Sequence, residues 1–185
     1  MPEMDRRSAL VSGLAAASTL AVAPGTLAQA VGADSPEQRL RERGIELPKA
    51  ASPVANYVPF ARMGNLIFLS GQVPRMPDGT LATGKVGKDV TVADAYQHAR
   101  LTGLALLALM REAAGSLDKV VRVGKIVGMV NATPEFTDHP KVINGCSDLL
   151  VEVFGDRGRH ARSAVGMGSL PFNITVEIEA VIEVA

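Results

Sequence analysis

Apolar and polar positions alternate most regularly at the C-terminal end of this 185-residue chain. Val176, Ile178, Ala180, Ile182 and Val184 alternate with Thr175, Glu177, Glu179, Val181 and Glu183. A period of two sends one set to each face of a pleated strand, so this run predicts a half-buried strand. Before it, Arg162, Ala164, Gly166 and Gly168 alternate with Ser163, Val165, Met167 and Ser169, which predicts another strand. Leu170-Pro171-Phe172-Asn173 joins the two. Upstream, Tyr57 to Met63 and Leu66 to Ser70 are short apolar runs split by Gly64-Asn65. Turn residues between apolar runs signal a hairpin. Val120 to Ala132 is rich in β-branched residues and reads as one long strand.

Helical spacing occupies the stretches between. Thr91-Val92-Ala93-Asp94 is a capping-box-like start with its acid at N3, and Gly115 stops the Ala- and Leu-rich run that follows. Its apolar residues spread beyond one stripe, so this helix should be covered on much of its surface. Val142, Cys146, Leu149, Leu150 and Val153 recur at helical spacing after Asp138 and Pro140, and Gly155 closes that segment. Ser35-Pro36-Glu37 supplies an N-cap, a proline at N1 and an acidic first turn for a short charged helix running to about Arg43. Gly71 to Asp89 holds four glycines and two prolines and reads as a long loop, of a length usually kept for a site or an interface. The order β-β-α-β-α-β-β predicts an α+β fold with the helices on one sheet face.

The first thirty residues follow a different rule. Asp5-Arg6-Arg7 precedes a mildly apolar run from Ser8 to Ala23, followed by Ala28-Gln29-Ala30. Charged start, apolar middle and small-residue cleavage pattern predict a secretory leader of twin-arginine type. The run is too short for a transmembrane anchor. Residues 1–30 are thus expected to be an export signal, 31–52 a short helix and linker, and 53–185 the domain. The mature protein should be periplasmic or secreted, or cytoplasmic if the signal does not function.

Composition narrows the chemistry. Nineteen basic residues balance nineteen acidic ones, and no basic stripe is present for a phosphate backbone, so nucleic acid is not an expected partner. With no Trp, the core must be built from Val, Leu, Ile, Ala and Met. Cys146 is the only cysteine and lies on an apolar helix stripe, as a buried hydrophobe does. No metal-ligand spacing, phosphate-cradling loop or nucleophile elbow is present. What remains is Arg162, sharing a strand face with small residues that leave room beside a guanidinium. Such an arginine suits a two-pronged grip on a carboxylate. Glu177 is expected a few cross-strand positions away, a pair that spacing alone would read as a surface salt bridge.

Three further blocks carry a specific resemblance. Pro53-Val54-Ala55-Asn56-Tyr57, Gly64-Asn65 and Leu69-Ser70-Gly71-Gln72-Val73-Pro74 resemble the opening of the RidA (YjgF, L-PSP) family. Phe136, Val142-Ile143-Asn144 and Phe154 resemble that family's second helix. His160-Ala161-Arg162-Ser163-Ala164-Val165, Leu170-Pro171 and Val176-Glu177-Ile178-Glu179-Ala180 resemble its terminal signature. The resemblance implies a chorismate-mutase-like single mixed sheet assembled as a homotrimer with clefts between subunits. It implies that Arg162 holds a substrate carboxylate and that Glu177 positions or activates water. Tyr57, Ser70, Gly71, Asn144 and Ala164 would line or shape the cleft. The expected activity is hydrolysis of small 2-imino acids and their enamines without a cofactor. The alternative is a non-catalytic protein that binds a small carboxylate in the same cleft, and the family's older ribonuclease label is disfavoured by the neutral charge.

Two departures mark a less characterised branch. Ala164 stands where the deaminases often carry Cys, and Phe172 where Lys is common. Gly158-Arg159-His160 belongs to the same departure, and His160 would share the strand face of Arg162 if the strand starts early. His98 and His139 are expected to be structural or exposed, and Arg75, Asp78, Lys85 and Lys88 to sit in a solvated loop.

Overall fold

A computed structural model of the protein describes residues 35–50 and 56–185. The expected export leader lies outside the described residues. The described residues form three helices and five strands, in chain order α1 Pro36–Glu42, β1 Phe60–Met63, β2 Leu66–Gln72, α2 Val92–Ala114, β3 Val120–Asn131, α3 His139–Phe154, β4 Ala161–Met167 and β5 Val176–Val184. The strands make one mixed sheet in the order β1-β2-β5-β3-β4. Only β3 and β4 run parallel; the other pairings are antiparallel.

The alternation in β5 explains its central place. Val176, Ile178, Ala180, Ile182 and Val184 are all buried on one face of the strand. On β3, Val123, Ile126 and Val130 complete the same covered face, and on β2 Ile67 and Leu69 do so. Helix α2 crosses β5 and β2, and α3 lies beside it over β3 and β4. The two helices approach closely because Gly145 has no side chain: a Cβ there would run into the Tyr96 carbonyl. Thr91 caps α2 through Asp94 N at 3.1 Å, and Gly115, at φ +79°, ends it in the left-handed turn expected of a glycine. Asp138 precedes α3 but does not cap it; its carboxylate pairs with Lys141 at 2.9 Å instead.

Helix α1 is seated on the core. Leu40 is 2% exposed. Glu37 takes two hydrogen bonds from Arg111 at 3.0 and 2.7 Å and a third from the Leu117 N–H. In return Asp118 accepts from Ser35 Oγ and Glu37 N, so the starts of α1 and of the 3-10 turn Leu117–Lys119 cap each other.

The segment between β2 and α2 exposes Arg75, Asp78 and Lys88 as expected, but its second half departs from a solvated loop. It is folded against the sheet end, with Val86 fully buried and paired to Ala132, and Thr83 paired to Ile174. Lys85 donates to Asn131 Oδ1 at 2.7 Å, Gly168 O at 2.8 Å and Ala132 O at 3.3 Å. A lysine held by three oxygens is a tie, and it closes the loop over the ends of β3 and β4.

Candidate functional site

Strand β4 is the sheet edge, and its register decides where Arg162 points. Arg162 lies opposite Ile126, which lies opposite Ala180. Both partners are buried beneath the helices, so the guanidinium emerges on the helix-covered face, at the seam between β4 and α3. There Nη1 donates to Asn144 Oδ1 at 2.8 Å and to Ser147 Oγ at 3.0 Å. Ser147 Oγ is also 3.1 Å from His160 Nε2, and His160 Nδ1 is 2.6 Å from Gly158 O. A carbonyl can only accept, so Nδ1 carries the proton. Burial lowers the His160 pKa, and the Arg162 charge adds to that; the Gly158 hydrogen bond opposes both. The imidazole is therefore neutral at pH 7, with Nε2 accepting the Ser147 hydroxyl.

Glu177 is built into the other face. It lies opposite Met129, which lies opposite Val165, a rung whose side chains turn away from the helices. Its carboxylate occupies the space over Gly71, where a Cβ would collide with Glu177 Oε1. Ser70 is fixed beside it, with Oγ donating to Val58 O at 2.8 Å and its N–H to Pro59 O. Burial raises the Glu177 pKa, and the neighbouring Glu179 charge raises it further. Tyr57 is 52% exposed at the edge of the described residues.

The seven residues predicted for a site therefore fall into two groups. Arg162, Asn144 and Ala164 lie along the seam of β4 and α3; Glu177, Gly71 and Ser70 lie around the open face, with Tyr57 near the start of β1. The expectation that Arg162 and Glu177 face each other on neighbouring strands is corrected. β3 stands between β4 and β5, and the two side chains leave opposite faces of the sheet. No ion pair joins them among the described residues. The open space expected beside Arg162 is also partly filled, because the His139 ring lies on Gly166 where a Cβ would otherwise sit. Ser147, which sequence reasoning missed, connects Arg162 to His160. Its only signal was the i, i+3 spacing from Asn144 on α3.

Among the described residues of one chain, no layer covers the open face. Leu66 and Phe68 of β2 and Val165 and Met167 of β4 are substantially exposed there. Among the described residues Phe172 is the most exposed large apolar side chain, at 77%, and it and Asn173 hold the left-handed φ of 54° and 56°. Such values strain residues bearing a Cβ. Cys146 is fully buried beneath α2, and burial pushes its thiol up to about 12, so it is inert packing.

Comparison with known proteins places this geometry among relatives. A family model described as "YjgF/chorismate_mutase-like, putative endoribonuclease" matches residues 37–183. Protein TCP17 of Trypanosoma cruzi is 43% identical over 145 residues, which is 78% of this chain and 91% of that protein. The crystal structure of the protein Atu1372 from Agrobacterium tumefaciens, of unknown function, superposes with a TM-score of 0.74 at 48% identity. That superposition covers 85% of this chain and 97% of Atu1372. A 2-iminobutanoate/2-iminopropanoate deaminase of Dermatophagoides farinae is 28% identical over 142 residues, 76% of this chain and 95% of that enzyme.

Proposed function

Because the chain belongs to the YjgF/chorismate-mutase-like family, we propose that it hydrolyses small 2-imino acids, in clefts formed where the open face of one copy meets the β4 edge of another. The observation that carries this reading is the placement of Arg162 and Glu177 on opposite faces of one sheet. A carboxylate grip and a water-activating carboxylate would be useless to each other within one chain. A second copy laid against Leu66, Phe68, Val165 and Met167 buries those apolar side chains and brings its own Arg162 edge toward Glu177. A homotrimer closes such a contact by rotation.

In that cleft the substrate carboxylate sits at Nη2 of Arg162, beside the Nη1 that already donates to Asn144 and Ser147. A protonated imine is electrophilic at C2. Glu177 of the neighbouring copy takes a proton from water as its oxygen bonds to C2, giving a tetrahedral amino alcohol. Glu177 passes that proton to nitrogen and, as the C–N bond breaks, takes the hydroxyl proton, so the C–O bond becomes the carbonyl of the 2-oxo acid. The departing ammonia carries this second proton away as ammonium and leaves Glu177 ionised. The upward shift of Glu177 suits a carboxylate that must accept and return a proton near neutral pH. The named activity of the mite relative supports this substrate class.

The test generates 2-iminopropanoate in situ and follows its conversion to pyruvate with the purified protein. Acceleration over buffer is expected. Binding of pyruvate with no acceleration would convert the reading to a carboxylate-binding protein, and neither binding nor acceleration would overturn it. Export by residues 1–30 is part of the same proposal: a reporter fused to them should cross the membrane, and changing Arg6 and Arg7 to Lys should retain it.

A further inference from the structure

Arg162 is joined through Ser147 and His160 to the Gly158 carbonyl by a continuous hydrogen-bonded chain. Gly158 O accepts from His160 Nδ1, His160 Nε2 accepts from Ser147 Oγ, and Ser147 Oγ accepts from Arg162 Nη1. Every link has one possible direction once the Gly158 carbonyl fixes the tautomer. Ser147 has a single proton, and in this arrangement it is spent on His160. A ligand carboxylate arriving at Arg162 therefore meets the serine oxygen as lone pairs, which repel it.

Protonating His160 reverses one link. Nε2 becomes a donor to Ser147 Oγ, which now accepts from both His160 and Arg162 and has its own proton released. That proton can be donated to a carboxylate on Arg162, and a second positive charge stands behind it. Ser147, His160 and Asn144 are half-buried, so the released hydroxyl faces an accessible seam.

Resting on the reading that Arg162 receives a carboxylate, we propose that Ser147 and His160 are positioning residues that set the affinity of Arg162 for carboxylate ligands according to the protonation of His160. Their role is specificity for a small 2-oxo or 2-imino acid at mildly acidic pH. The other groups around the imidazole leave the task to this pair. Arg162, two residues on at the start of β4, is the charge that acts on it. On α3, Cys146 is neutral and Asp148 accepts from the Tyr96 hydroxyl. In the turn before it Arg159 is paired with Asp156 at 3.1 Å, and on β3 Lys125 lies opposite Ala161. The sign is fixed by linkage. A bound carboxylate offsets the Arg162 charge that discourages protonation, so binding raises the proton affinity of His160 and acid raises ligand affinity by the same factor.

The experiment is calorimetric titration of the full chain with pyruvate between pH 7.5 and pH 5, in buffers of differing ionisation enthalpy. The parent protein should bind roughly tenfold more tightly at the acid end, with net proton uptake. In a Glu177→Gln background, which removes that acid's own response, His160→Gln should bind with a flat profile and no uptake and Ser147→Ala with a reduced slope, while His98→Gln keeps the full slope. Glu177 also titrates upward of the ordinary range and would give a response of the same sign. A slope that persists in His160→Gln therefore assigns the response to another group and overturns the proposal. An undiminished slope in Ser147→Ala overturns the serine relay. If His160→Gln fails to fold, nitrogen NMR of the parent decides: at pH 7.5 His160 must show Nδ1 protonated and Nε2 bare, and the opposite tautomer is fatal. Equal pyruvate affinity in Arg162→Ala, or no pyruvate binding by the parent, would instead remove the functional reading on which this one rests.

Discussion

The two faces of the sheet obey different rules. On the helix-covered face of β5 all five side chains are buried and apolar, and their neighbours Ile126 and Ile67 are fully buried as well. On the open face the same strand carries Glu177, Glu179, Val181 and Glu183, beside exposed Phe68, Val165 and Met167. The first face is finished by the chain itself. The second mixes half-buried carboxylates with uncovered apolar area, a combination that a lone soluble domain gains nothing from. The contrast teaches that one face of the sheet builds the core while the other is left to carboxylates and exposed apolar side chains, with Arg162 at the β4 edge under α3.

Substitution can break that division. The largest effect expected is on turnover: Glu177→Gln should cut imine hydrolysis by roughly 10²–10⁴-fold in the coupled assay. Its melting temperature should not fall, because the carboxylate it replaces is desolvated beside another acid. On the covered face the reverse holds. Ile126→Ala should cost about 2–5 kcal/mol, read by urea unfolding at fixed protein concentration, since any assembly makes the midpoint concentration-dependent. Next comes Glu37→Ala, which removes three hydrogen bonds that tie α1 to Arg111 and Leu117. About 1–3 kcal/mol should be lost, and the N-terminal segment should become the first site of limited proteolysis.

The smallest effect is a pair of opposed pH slopes. His98, whose Nδ1 is 3.1 Å from Thr175 Oγ1, and His160 both have pKa values lowered by burial. Below about pH 6.5 the unfolded chain binds protons that these native histidines resist, so stability falls as pH drops toward their folded values. Glu177 has the opposite sign: its folded pKa is raised, so its neutral form is favoured and stability is recovered as pH falls through that value. Unfolding of His98→Gln across pH 7.5 to 5.5 should lose part of the acid-side decline, and Glu177→Gln should leave that decline in place.

Much of the covered face was legible in the sequence. The β5 alternation, the Thr91 cap, the Gly115 stop and the burial of Cys146 are local properties, set by a residue's own period and its near neighbours along the chain. So was the list of chemically capable side chains, Arg162 and Glu177 among them. Their relation was not. Adjacent segments β4 and β5 invited pairing, yet β3 lies between them, parallel to one and antiparallel to the other. Period two states which residues share a face and leaves open which face the helices cover. In β4 the bulky Val165 and Met167 turn outward, while Arg162, Ala164 and Gly166 lie under α3, because Gly166 must make room for the His139 ring. Strand order and face depend on long-range pairing and on the fit of α3 against the sheet edge, which no local pattern encodes. The tertiary structure alone therefore placed Arg162 beside Ser147 and His160, and Glu177 on the far side of the sheet.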